Sequence, residues 1–495
     1  MHALREAEVT MPHDTDSISV GDHAMTCRDV VQVAREGQPV RVESAARQRV
    51  QDAYDSVELI ATKRPVYGRT TGVGANRHQP VAGDTAVEHG LRLLRSHAGG
   101  AGPLLPTDHV RAALVIRLNQ LTQGGAGVQP EVVDALERAI RTNAVASVHR
   151  LGAIGTGDIA PLAEIALTLA GERPWTGTGH VPPVPLGTTD ALSFISSNAV
   201  TLAEAALACA ELQVLLRASH AITALTFLAL GGSTEAIETP VQQARPHPGQ
   251  STCAAELRRL LGVDEAQLDG RRIQDPFGLR AFPQVHGPAL DSVATLERVL
   301  EVEINARAEN PLVDVDARDV FHNANFHTAY VTLAIDQARA AVHHTAELST
   351  ARLGDLAEPA MTDLPPFLAS GPAGSSGVMI LEYVAQDALA QLRQAAMPVT
   401  LGNAVISRGL EDHASFSTQA ARQSTQTVEA FRYVLACELV AAARALHMQK
   451  IELADVPAKT AWNLATRVLD PTLEDRSLSD DVEQATDVLP DLAAL

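Results

Sequence analysis

The stretch DHASFSTQAARQSTQTVEAFRYVLACELVAAARALHM, residues 412–448, holds neither proline nor glycine. Both residues are costly inside a helix, and here Ala, Leu, Glu, Gln and Arg dominate with apolar residues at three-and-four spacing, so the run predicts one continuous helix. At ~1.5 Å per residue it forms a rod on the order of 55 Å. A rod of that length belongs to a bundle, often an oligomeric one. The run lies in a proline-free window between Pro398 and Pro457, and two more such windows, Pro185 to Pro240 and Pro311 to Pro359, carry the same pattern. Outward from them, the first half shows shorter helical patterns (45–61, 87–97, 110–121 and 130–141) separated by glycine-rich turns, with little strand alternation. The expectation is a mainly α chain with three parts: a flexible extension over 1–16, an N-terminal helical domain with glycine-rich loops over 17–195, and a long-helix bundle over 196–495. The acidic tail 480–495 is expected to be loosely held.

The chain has 495 residues, 46% of them apolar, enough to bury a large core without disulfide staples. Its 39 basic and 59 acidic residues leave a formal charge of −20. That field repels phosphates and disfavours nucleic-acid and anionic-membrane partners. Aromatics, at 3%, are too few for base-stacking platforms. Cys27, Cys209, Cys253 and Cys437 are scattered without zinc spacing or a secreted disulfide framework, and read as reduced cytoplasmic thiols. The first thirty residues hold six acidic groups and no apolar run, so no signal peptide is expected. The most apolar stretch, 199–230, is interrupted by Glu204, Glu211, Arg217 and His220, and reads as a buried helix, not a membrane span.

One segment is chemically unusual: Leu151-Gly152-Ala153-Ile154-Gly155-Thr156-Gly157-Asp158-Ile159-Ala160-Pro161-Leu162. Glycines around a single hydroxyl residue permit a tight turn just before a helix that Asp158 opens. No phosphate-loop lysine follows, so a nucleotide cradle is not indicated. Six further segments occur in order: Tyr67-Gly68-Arg69-Thr70-Thr71-Gly72-Val73-Gly74; Ser96-His97-Ala98-Gly99-Gly100; Gln274-Asp275-Pro276-Phe277-Gly278-Leu279-Arg280; Glu309-Asn310-Pro311-Leu312; Asn325-Phe326-His327; and Glu411-Asp412-His413.

Together, from about residue 17 to about 450, these segments resemble the histidine and phenylalanine ammonia-lyase family, which includes aminomutases. The resemblance implies a fumarase/aspartase-like helical fold and a homotetramer whose active sites draw on several subunits. It also implies an electrophilic imidazolone (MIO-type) built autocatalytically from the Gly155-Thr156-Gly157 backbone, with no metal. Tyr67 is then the β-proton base, Arg280 the grip on the substrate carboxylate, and Asn325 a partner for the polar end. Gln274, Phe277 and Phe326 fall on matching site positions, His97 on the substrate-selecting helix, and Glu411 on the acidic residue that meets a polar substrate side chain.

The residue types suit that chemistry. Expelling ammonia from an α-amino acid requires removal of a weakly acidic β-proton and a better amine leaving group. A tyrosine base near neutral pH calls for surroundings that lower its pKa. Three departures stand out: Thr156 replaces serine, so dehydration gives an ethylidene; Phe277 replaces a second tyrosine; and Ser196-Ser197-Asn198 replaces Asn-Gly-Thr. Either Asn198 supplies the side chain that polarises the ring carbonyl from a shifted position, or that side chain is missing, with Ser196 in its place. His322, His327, His343 and His344 lack clustered carboxylates in the sequence and read as core or surface residues before metal ligands. The reading is an ammonia-lyase for histidine or another polar α-amino acid. The alternatives are a 2,3-aminomutase of specialised metabolism or a divergent relative without the imidazolone.

Overall fold

A computed structural model describes residues 17–81, 86–187, 190–263, 268 and 270–495, and the expected flexible extension lies outside them. The quoted run is a 33-residue helix, but it starts at Ser417 and ends at Gln449. Residues 412–416 are loop, because Phe416 adopts the left-handed region (φ 56°) and the backbone turns there before the helix begins. The other proline-free windows yield the helices Ala199–Leu230 and Ala329–Ala357. With Phe282–Ile304 and Met379–Ala395 they form the bundle, in which Ala199–Leu230 and Ser417–Gln449 make the most extensive contact. The shorter patterns are the helices Ser44–Ala61, Ala86–His97, Thr107–Thr122 and Pro130–Thr142. Among the described residues the sheets are two-stranded, with three-to-four-residue strands.

The helical segment Asp190–Leu230 is long and apolar enough to cross a membrane, but its most apolar window is 78% buried inside the protein. Its small residues let neighbouring helices approach, and one hydrophobic core runs from Val20 through Leu114, Phe194, Leu225 and Leu435 to Leu492. All four cysteines are buried and unpaired.

The C-terminal tail departs from expectation. Residues Ser479–Ala493 form a helix that packs on Ala199–Leu230 and Ser417–Gln449. Val482, Ala485, Leu489 and Leu492 repeat at helical spacing and are buried, which outweighs the acidic residues on the opposite face. Asp481, the one acidic side chain of that face turned inward, is paired with Arg476.

Among the described residues, two ion pairs with both side chains at most 1% exposed cross the fold. Arg352 and Glu438, both fully buried, meet side-on through Nε–Oε1 at 2.6 Å and Nη2–Oε2 at 2.7 Å. Thr226 and Ser349 hydroxyls donate to the same carboxylate, at 2.7 and 2.6 Å. Arg117 and Glu309 pair at 2.8 Å, and Arg117 also donates to the carbonyls of Ser193 and Phe194. The Arg352–Glu438 pair is satisfied on several sides, the condition under which a buried pair is tolerated, whereas Glu309 Oε2 is buried without a partner.

A buried histidine couples the bundle to pH. His220 is 3% exposed, its ring centroid lies 4.6 Å from that of His286, and burial pushes its pKa down to about 4. Below its ordinary value of about 6.5 the unfolded chain binds a proton that the folded chain refuses. Its contribution is therefore complete above pH 6.5 and lost as pH falls from there toward 4. Comparing His220→Leu with the wild type between pH 7 and 4, the stability difference should move in the variant's favour by about 3 kcal/mol. Urea unfolding at several pH values checks this; parallel pH profiles would refute it.

Candidate active site

The Tyr67 loop follows the Ser44–Ala61 helix and is anchored from below. Gly68 sits at φ 73°, where a Cβ would lie 2.0 Å from Leu192 Cδ2, so only glycine fits there. Arg69 is buried and donates to the Ala126 carbonyl at 2.8 Å and the Ser193 hydroxyl at 2.9 Å. These contacts hold the Tyr67 ring over a pocket of about 670 Å³ that Thr156, Gly157, Ser196, Phe326 and Glu411 also line. A pocket of that size accommodates a small-molecule ligand.

The Tyr67 hydroxyl accepts the Gly74 N–H at 2.7 Å. That bond favours phenolate, and Arg77 acts in the same direction. Burial outweighs both and Glu411 adds to it, so the phenol stands above its ordinary value. The expectation of a lowered pKa is thus reversed in the single chain: one N–H and one cation do not offset desolvation.

The Gly155-Thr156-Gly157 turn lies between the His149–Leu151 strand and the Ile159–Leu169 helix, with Gly155 at φ 82° and Gly157 at φ 109°. The Gly157 N–H faces Asn198 Oδ1 at 3.2 Å, and the Asn198 amide donates to the Phe326 carbonyl. On the other side of the turn, the Gly155 carbonyl accepts the Ser415 hydroxyl at 2.9 Å. Asp158 stands at the helix start as expected, but its carboxylate does not cap that helix. It reaches across to accept the Thr201 N–H at 2.7 Å and its hydroxyl at 2.8 Å. Burial raises Asp158 to about 6 and the neighbouring Glu204 to about 7.

Tyr67, Thr156, Gly157, Ser196, Phe326 and Glu411 therefore meet in one pocket, with Gly155 and Asn198 directly behind it. Glu411 Oε2 is buried there with no partner. Five sequence candidates lie outside the pocket of the single chain. His97 ends its helix with Nδ1 2.8 Å from the Leu93 carbonyl and 3.0 Å from Ser96 Oγ. Phe277 is 63% exposed, and the Arg280 guanidinium lies 4.3 Å from its ring centroid while donating to the Asp275 carbonyl at 2.7 Å. Gln274 and Asn325 are exposed.

Sequence reasoning missed Arg77, His78 and Asn323 as pocket residues, and set His322 aside. His322 Nε2 accepts the Tyr67 N–H at 3.2 Å. Adjacency to the tyrosine loop was the only available signal for Arg77 and His78. Of the other histidines, His327 meets His413 at 2.9 Å. His343, His344 and Glu347 lie on the Ala329–Ala357 helix with ligand atoms within 4.8 Å of one another, a carboxylate partner that linear inspection did not identify.

A mainly helical fold with a tyrosine loop and a glycine-flanked turn on one pocket is the arrangement that the resemblance to the ammonia-lyases implies. The profile of the aromatic amino acid lyases matches residues 25–467, and the chain belongs to that family. It is 33% identical to a histidine ammonia-lyase of Treponema denticola over 488 residues, covering 95% of this chain and 96% of the relative. A histidine ammonia-lyase of Symbiobacterium thermophilum is 32% identical, covering 96% of each. Among solved structures, ergothionase from Treponema denticola, an ergothioneine-degrading enzyme, superposes with a TM-score of 0.90 at 26% identity, covering 97% of this chain and 100% of that one. Tyrosine aminomutase from Streptomyces globisporus gives 0.90 at 27%, covering 96% and 97%. The protein is a carbon–nitrogen lyase or aminomutase of this fold.

Proposed function

We propose that the chain is a cytoplasmic ammonia-lyase that removes ammonia from histidine or a similarly polar α-amino acid. The observation that carries the substrate class is the unpartnered, buried Glu411 Oε2 in the pocket that holds Tyr67 and Thr156. A buried acceptor without a donor costs about 1–3 kcal/mol, which a substrate N–H would recover and a phenyl ring would not. Tyr67 takes the β-proton at its hydroxyl oxygen. Positive charge brought by the substrate or a neighbouring chain would offset the burial that raises the Tyr67 pKa in the single chain.

The Gly155-Thr156-Gly157 turn fits an imidazolone: the amide that must attack faces an acceptor, the carbonyl to be attacked faces a donor, and glycines flank both sides. Once formed, that group supplies an electrophile that makes the amine a better leaving group. Asn198 is committed to Gly157 and Phe326, and Ser196 accepts the Asn310 N–H at 2.9 Å, so these two side chains frame the turn.

Phe277, Arg280 and Gln274 belong to an exposed segment with Ile273 (97% exposed), and Tyr330 (77%) and Leu401 (86%) are also bare. A homotetramer that buries these side chains and presents Gln274, Phe277 and Arg280 to a neighbour's pocket accounts for both facts. Light scattering at micromolar protein should give four chains; a monomer would refute it. No nucleic acid or membrane partner is part of this reading.

Intact-mass spectrometry and an amino-acid panel test the proposal together. The expected protein is lighter than its sequence by two waters and releases ammonia from histidine or a polar relative. An unmodified mass would eliminate the imidazolone, and ammonia from phenylalanine or tyrosine alone would eliminate the assignment of Glu411. The likeness to tyrosine aminomutase supports one second reading, a 2,3-aminomutase. Product analysis separates them: a β-amino acid in place of an unsaturated acid means the amine is retained and re-added.

A further inference from the structure

The segment just before and within the start of the Ser417–Gln449 helix grips the chain that leads into the glycine-flanked turn. Gln419 Nε2 donates to the Ala153 carbonyl at 3.0 Å, and the Phe416 N–H donates to the Ile154 carbonyl at 2.9 Å. At Gly155 the partners change in kind. Its carbonyl accepts the Ser415 hydroxyl at 2.9 Å and lies 3.4 Å from the Thr328 hydroxyl. Thr328 Oγ1 is in turn 3.2 Å from Ser415 Oγ and 2.7 Å from Ser417 Oγ. All three hydroxyl residues are buried, at 4% exposure or less.

One donor suffices to satisfy a buried carbonyl. A chain of three hydroxyls does more, because each hydroxyl both donates and accepts and can pass a proton along. The glycine is matched to this arrangement: a Cβ at position 155 would lie 2.1 Å from Ser415 Oγ and 2.8 Å from Ser417 Oγ. Opposite the hydroxyls, the Gly157 N–H faces Asn198 Oδ1 at 3.2 Å.

We propose that Ser415, backed by Thr328 and Ser417, catalyses closure of the Gly155-Thr156-Gly157 ring by activating the Gly155 carbonyl. The inference rests on the reading that this turn cyclises. In the step, Gly157 N bonds to the Gly155 carbonyl carbon, and the carbonyl oxygen takes its first proton from Ser415, which is resupplied through Thr328 and Ser417. That oxygen leaves as water with the two hydrogens originally on Gly157 N and Thr156 N, as a C=N bond forms. A second water takes the Thr156 hydroxyl and its Cα hydrogen and leaves the exocyclic alkene. Two waters depart and no oxidant is needed. Ser415 donates to the oxygen on which negative charge develops, the geometry of an oxyanion donor.

The test follows newly made full-length chains from cell-free synthesis by intact mass over time. Wild type should lose two waters. Ser415→Ala should do so roughly 100- to 1,000-fold more slowly, as when an oxyanion donor is removed, and Thr328→Val should be slowed to a smaller degree. Gln419→Leu, which cuts a clamp contact without touching Gly155, should mature at the wild-type rate. Circular dichroism confirms that the compared chains are folded, and where Ser415→Ala does not fold, Thr328→Val decides alone. Wild-type maturation rates in both hydroxyl variants overturn the inference while leaving cyclisation intact, as does equal slowing in Gln419→Leu. A wild type that never loses water overturns the cyclisation reading and this inference with it.

Discussion

Tyr67→Phe is expected to lower kcat/KM by about 10²–10⁴-fold, the usual contribution of a positioned proton-transfer group. The change removes one oxygen from the pocket and leaves the ring over it. The lost partner is the Gly74 N–H, 2.7 Å away, so the stability cost is about 1 kcal/mol. A melting midpoint close to wild type and an unchanged loss of two waters would locate the defect in proton removal. Because Tyr67 must be deprotonated to act, the wild-type pH–rate profile should rise through an acidic limb whose apparent pKa is that of the assembled site, and Tyr67→Phe should abolish that limb. Turnover within threefold of wild type would exclude Tyr67 as the base.

The second large effect lies deep in the bundle. Replacing Glu438 by alanine strands the Arg352 guanidinium in a fully buried position and is expected to cost about 3–5 kcal/mol. The double replacement Arg352→Met with Glu438→Leu should recover most of that loss, because the pair is removed together with its desolvation cost. Urea midpoints at one fixed protein concentration measure both. A single variant within 1 kcal/mol of wild type would show that the pair contributes little. The single replacement should also raise KM, since Arg352 Nη1 donates to the Gly278 carbonyl at 3.2 Å and so supports the turn that carries Phe277 and Arg280.

The opposite tolerances of these two sites follow from what surrounds them. Tyr67 borders an open pocket where lost contacts are replaced by solvent or substrate, so its removal is read in rate. Glu438 is fully buried and ringed by Thr226, Ser349 and Arg352, so its removal is read in stability.

How much was legible beforehand varies by element. The long helices, the 44–61 and 107–122 helices and the tyrosine and glycine-flanked turns were readable because proline absence, apolar spacing and glycine placement act within a few residues. The failures have a common cause. The Ser417–Gln449 helix begins later than the proline- and glycine-free run: 412–416 contain no helix breaker, yet Ser415 and Phe416 are drawn off by the Gly155 and Ile154 carbonyls. The acidic residues of the tail point to a loose end, whereas the Val482, Ala485, Leu489 and Leu492 stripe gains its energy only from the helices it covers.

The same division holds at the site. Local sequence determined which chemical groups exist: a tyrosine on a glycine-rich loop, a hydroxyl residue between two glycines, and a carboxylate in the Glu411-Asp412-His413 segment. Only the tertiary structure decided which of them meet. It joined Tyr67, Thr156 and Glu411 in one pocket and left His97, Gln274, Phe277, Arg280 and Asn325 outside it. It also set the Gly155 carbonyl against Thr328 and Ser415, 173 and 260 residues away along the chain. Helix propensity is a property of neighbouring residues, whereas a hydrogen bond across that separation forms only after the bundle has packed and already met the entropy of closing the intervening loop.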